Sequence, residues 1–98
     1  MNVNYTVHNI VFEWDRQKAV ANLQKHGIAF ELACEAFFDP FICYLDEEDV
    51  DGEFRETIIG LCTNWQLLYV VYVMRNETIR IVSARTVTSV ERETYENQ

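Results

Sequence analysis

The sequence predicts an α+β domain: an antiparallel sheet packed by two N-terminal helices and one C-terminal helix. Three observations carry this. A short β-branched strand precedes two helical segments with legible starts and stops. Three apolar strands then follow across three-residue connections, and a capping box opens a last helix. The 98 residues form one domain, 1–98, with residues 1–9 read as an N-terminal tail or extension.

Residues 10–14, Ile-Val-Phe-Glu-Trp, read as the first strand. Asp15 is placed as an N-cap, its carboxylate accepting from first-turn N–H groups. The helix it opens runs through Lys25 or His26. Gly27 stands where a left-handed residue is wanted, and Leu23 with Ile28 is the hydrophobic pair of a Schellman stop. Phe30, Ala33, Cys34, Phe37 and Phe38 give the apolar face of a second helix over 30–38. Asp39-Pro40 ends it, because the residue before proline avoids helical geometry. Residues 41–45 read as a strand and the acidic segment 46–53 as a loop. Strands follow at 54–62, 66–74 and 78–85. The run Leu67–Val73 is apolar on both faces and predicts an inner strand. Thr88-Ser89-Val90-Glu91 is the capping box of the last helix.

Composition narrows the function classes. Hydrophobic residues make up 49%, which is enough for a core and excludes a disordered chain. No apolar run reaches the roughly 18 residues a membrane span needs, and the N-terminus lacks a signal-peptide pattern. Three cysteines without C-x-x-C spacing indicate a reduced, cytoplasmic compartment and buried, unreactive thiols. The net charge of −8 argues against nucleic acid. Net charge is a poor judge here, however, because Asp46, Glu47, Glu48, Asp49, Asp51 and Glu53 concentrate it in eight residues. That segment imitates the start of a calcium loop, but Ile58 occupies the twelfth position, where a bidentate Glu is needed. No metal site, glycine-rich phosphate loop or G-x-S-x-G nucleophile is present, so no cofactor is expected.

The candidate functional residues are cations. On the first helix Lys18, Asn22, Lys25 and His26 share one side, with Ala19, Val20 and Leu23 opposite. The polar stripe is either a phosphate-binding face with a general acid or base, or a solvated face complementing the helix dipole. In residues 78–85, strict alternation places Arg80 and Arg85 on opposite faces unless the strand is bulged. Each needs solvent, a carboxylate or a bound anion. Arg55 opens the preceding strand and is positioned to join them. Tyr95 either stacks on a base or covers the sheet. The acidic loop is expected to project away from a concave face that gathers Arg80 or Arg85 with His26.

These residues form a recognisable series. Phe12-Glu13-Trp14-Asp15, Lys18 and Asn22-Leu23-x-Lys25-His26-Gly27-Ile28-x-Phe30 resemble the opening signature of BrnT-type toxins. Phe38-Asp39-Pro40, Gly60, Arg80-Ile81-Val82-Ser83-Ala84-Arg85 and Glu91-Arg92-x-x-Tyr95 resemble the remainder, over residues 10–96. The resemblance implies a RelE-like fold and a metal-independent endoribonuclease toxin of a type II toxin–antitoxin pair. It implies a hetero-oligomer with a BrnA-like antitoxin, which binds operator DNA, so that the toxin meets DNA only through its partner. Metal-free RNA cleavage needs a base for the 2′-hydroxyl, cations for the phosphorane and an acid for the leaving oxygen. At the matched positions, chemistry assigns proton transfer to His26, phosphate charge to Arg55, Arg80 and Arg85, and RNA positioning to Lys25 and Tyr95. The last helix departs from the family in carrying only Arg92 among Glu91, Glu93 and Glu96. That lowers the expected RNA affinity and leaves a second reading: a weak or inactive homologue that serves as antitoxin-binding co-repressor.

Overall fold

The computed structural model describes all residues, Met1–Gln98. The chain order is β1 (Asn2–Val7), β2 (Ile10–Asp15), α1 (Arg16–His26), α2 (Phe30–Glu35), β3 (Cys43–Tyr44), β4 (Glu48–Val50), β5 (Glu53–Leu61), β6 (Leu67–Arg75), β7 (Thr78–Thr86) and α3 (Ser89–Glu96). Residues 1–9, expected as a tail, instead supply β1 and a two-residue turn. His8 and Asn9 both take positive φ, the geometry that joins tightly twisted hairpin strands.

The sheet order is β1-β2-β7-β6-β5-β3, with β4 pairing β5. It is mixed rather than antiparallel. β2 and β7 run parallel, Phe12 beside Ile79 and Glu13 beside Arg80, and every other pair is antiparallel. The parallel pair follows from connectivity: two helices and four strands separate β2 from its neighbour, so no hairpin constrains its direction. β6 lies inside the sheet, as its two apolar faces require.

The start of α1 matches the cap prediction, the Asp15 carboxylate accepting from Lys18 N–H at 3.0 Å. Its end is simpler than a Schellman motif. Gly27, at φ 71°, donates its N–H to Leu23 O at 2.9 Å, the single bond of the αL stop. The face assignment is corrected: Asn22 is buried, while Val20 and Leu23 are each 50% exposed. Asn22 Nδ2 donates to Ile28 O (2.9 Å) and Ala84 O (2.8 Å), and its Oδ1 accepts from Ala84 N–H (3.1 Å). One amide thus fastens α1 to β7. The second helix tightens into a 3-10 turn at Ala36–Phe38. A Cβ on Gly60 would lie 2.2 Å from Ala36 O, so only glycine lets β5 approach that turn.

The main core lies between the sheet and α1/α2, built on Phe12, Trp14, Phe30, Ile58, Leu68, Val70, Tyr72 and Ile81. A smaller cluster, Cys43, Ile59 and Leu67, occupies the other face and is covered by Tyr95 of α3. The helices therefore sit on both sides of the sheet. Cys34, Cys43 and Cys62 are buried and unpaired. Burial first, and nearby Glu charge second, pushes the Cys34 and Cys62 thiols up to about 12.

Candidate active site: a cleft on the sheet around Arg55

Side chains on one strand alternate between faces, so the register decides which arginines meet. In the β6–β7 pair the register slips between Val71 and Tyr72: Val71 faces Ser83, whereas Tyr72 faces Ile81. Val82 is the extra residue of a bulge. Beyond it the alternation inverts. Arg80 then lies opposite Val73 and Arg85 opposite Tyr69, both on the face away from α1 and α2. The opposite-face expectation from strict alternation is thereby overturned. Thr57 faces Val71 in the β5–β6 register, which puts Arg55 on the same face.

That face holds a cleft of about 570 Å³ between α3 and the acidic segment. Its floor includes Arg55, Thr57, Tyr69, Val71 and Ser83; Glu91 closes one side. Asp46, Glu47 and Glu48 line the other. The acidic segment is thus not a loop projecting away from the arginines. Its β4 portion pairs with β5, Glu48 facing Arg55 and Asp49 facing Phe54, through a turn at Asp51-Gly52 with φ positive at both. Pairing with β5 brings Asp46, Glu47 and Glu48 to the cleft wall.

The arginines differ in what they touch. Arg80 donates to Glu13 at 3.1 Å and to Asn2 at 3.3 Å. Arg75 pairs with Glu53 at 2.9 Å. Arg85 makes a two-pronged pair with Glu91, 2.8 and 2.9 Å, and lies 4.0 Å over the Tyr69 ring. That hydrogen bonding holds the Glu91 carboxyl below its ordinary range, and the Thr88 N–H adds to the effect. Arg55 has no carboxylate within 4.0 Å, and its Nε is buried without a hydrogen-bond partner. Among the arginines on this face it is the one without an ion pair.

His26 ends α1 in the helical layer and does not line the cleft. Lys25 is exposed beside it. Tyr95 covers the smaller cluster and donates its hydroxyl to Asp39 at 2.5 Å. Asp39 also accepts from Phe41 N–H (2.9 Å) and Leu61 N–H (2.8 Å). Burial opposes its ionisation, yet these bonds, Tyr95 foremost, hold the carboxyl below the ordinary range. Burial and then the Asp39 contact push Tyr95 up to about 12. Of the candidate site residues singled out from the sequence, Arg55 alone lines the cleft; Arg85 adjoins it through Glu91 and Tyr69, and His26, Lys25, Arg80 and Tyr95 lie outside its lining. Sequence reasoning missed Tyr69 and Ser83; a bulged β7 paired with β6 was the only route to them. No three His, Cys, Asp or Glu side chains converge as a metal-holding group.

The family model for the ribonuclease toxin BrnT of type II toxin–antitoxin systems matches residues 14–91. Among solved structures, the crystal structure of the Brucella abortus ribonuclease toxin BrnT matches at TM-score 0.63 and 23% identity, covering 78% of this chain and 94% of that one. A search of curated proteins finds no match. No helix is long and apolar enough to cross a membrane. With the match spanning both core-forming helices, the bulged strand and Glu91, the chain belongs to the BrnT family of ribonuclease toxins of type II toxin–antitoxin systems.

Proposed function

We propose that the chain is an endoribonuclease toxin whose reaction takes place at the Arg55 cleft without a metal ion, on a RelE-like layering of helices and sheet. The observation that carries this is the unpartnered Arg55 guanidinium on the cleft floor. An RNA phosphate in the cleft would pair with the charge of its terminal nitrogens, and the same charge would stabilise the phosphorane as negative charge develops. Glu48, facing Arg55 in the β4–β5 ladder, is the base that takes the 2′-hydroxyl proton. The 2′-oxygen then attacks phosphorus and the 5′-oxygen departs, taking a proton from water at the open cleft. Glu91 is occupied by Arg85 and acts on position: it holds that guanidinium over the Tyr69 ring, beside the phosphate path. His26 has no step in this scheme. The partner is a BrnA-like antitoxin, and operator DNA is reached only through it.

The experiment is incubation of the purified chain with RNA in excess EDTA. The expected result is cleavage leaving 2′,3′-cyclic phosphate ends. Cleavage that disappears on chelation and returns with a divalent ion contradicts the scheme.

A second reading has its own observation. Asp46, Glu47 and Glu48 wall the cleft, and Arg75, Arg80 and Arg85 are already neutralised by carboxylates. Both features disfavour a polyanion. On this reading the chain is a weak or inactive homologue that serves as antitoxin-binding co-repressor, and it leaves RNA intact under all conditions.

A further inference from the structure

Strand β1 forms one edge of the sheet and lies outside the family-matched residues 14–91. Its six residues, Asn-Val-Asn-Tyr-Thr-Val, contain no charge, proline or glycine, and their register with β2 runs unbroken from Asn2 to Val7. Open edges in natural sheets are ordinarily blunted by lysine, proline, a bulge or a covering element. This one carries none of these residues or irregularities.

The direction of its backbone groups follows from the turn. Val7 and Ile10 close a two-residue hairpin, so they exchange both backbone hydrogen bonds, and the exchange recurs at every second pair. Val7, Tyr5 and Val3 therefore turn their N–H and C=O groups inward to β2. The same parity appears one residue beyond the strand, where Met1 O accepts from Arg16 N–H at 2.9 Å. Asn2, Asn4 and Thr6 then present theirs outward.

We propose that this edge joins a second copy of the chain, β1 pairing antiparallel with the β1 of its partner about a two-fold axis at Asn4. In that register Asn4 faces Asn4, Asn2 faces Thr6 and Val3 faces Tyr5. All three outward-facing residues are used on each strand, giving six backbone hydrogen bonds. Faces match: Val3 and Val7 pack on the main core, and Tyr5 lies 5.7 Å from Trp14, so the apolar side of one strand continues into that of the other. A second copy is the occupant because the register is self-complementary. Charge argues the same way: most of a −8 surface repels its own kind, whereas this strand is neutral. The neighbouring Glu13 charge is also matched, by Arg80.

Light scattering coupled to gel filtration, run over a range of chain concentrations, tests this. The parent should weigh twice its 11.6 kDa chain at high concentration. Asn4→Pro removes only an outward N–H, which an edge strand tolerates, so it should keep the parent circular dichroism and weaken the dimer at least tenfold. Asn4→Lys places like charges on the axis and should do the same, which covers a misfolded proline variant. A parent that stays monomeric throughout overturns the proposal, as does a folded Asn4→Lys that dimerises like the parent. A monomeric parent whose antitoxin binding is lost on Asn4→Lys assigns the edge to the antitoxin and also overturns it.

Discussion

Asn22 commits its amide to three backbone groups, two on Ala84 of β7 and one on Ile28 in the connection after α1. A helical wheel groups it with Lys18, Lys25 and His26 because it is polar. Its backbone partners on Ile28 and on Ala84, 62 residues away, explain its burial. Asn22→Ala leaves those groups unsatisfied and should lower stability by about 3 kcal/mol, read from urea denaturation, whereas the exposed Lys25→Ala should stay within about 0.5 kcal/mol of the parent. Equal stability of the two variants contradicts this role. Asp39 was legible as a helix stop but not as the acceptor for Phe41, Leu61 and Tyr95, since two of those partners are remote in sequence. This contact fixes the pH response. Asp39, with its folded pKa lowered, contributes stability that is present above the unfolded value near about 4 and is lost as pH falls through the folded one. Tyr95, raised to about 12, contributes stability that is full below about 10 and is lost as pH rises toward 12. Tyr95→Phe should therefore move the acid unfolding midpoint to higher pH and flatten the alkaline loss between pH 10 and 12. Unchanged acid and alkaline limbs in denaturation curves would contradict the assignment.

Among the elements, those with local signals were readable: both ends of α1, the capping box of α3 and the inner position of β6. Those decided by pairing were not. β1 is rich in Asn and Thr and is turned by His8-Asn9 rather than Asn-Gly, so it carries little of the usual hairpin signature. The Val82 bulge has no glycine or proline to announce it, yet it determines that Arg80 and Arg85 share a face. The acidic segment was readable as charge, but its folding back on β5 was not. That placement has a measurable consequence. The carboxylates of Asp46, Glu47 and Glu48 stand against any phosphate entering the cleft. Because Glu48 is the proposed base, replacing all three by their amides should separate binding from chemistry. RNA should bind about tenfold more tightly, about 1.4 kcal/mol, while cleavage falls. Unchanged affinity in a filter-binding titration at fixed salt would show that the ribbon lies off the RNA path.

For the whole molecule, the uneven distribution of charge reconciles an acidic chain with a family of ribonucleases. The net charge of −8 slows approach to RNA, and the unpartnered Arg55 supplies a local exception. In the proposed scheme this exception is the reaction centre, and His26, across the sheet layer, stands outside it. The most direct measurement compares RNA cleavage rates of the parent, Arg55→Ala and His26→Ala in EDTA, with folding checked by circular dichroism. Arg55→Ala should lower the rate by about a hundredfold or more, and His26→Ala should cleave at a parent-like rate. A folded Arg55→Ala that cleaves like the parent, with His26→Ala inactive, would contradict the scheme.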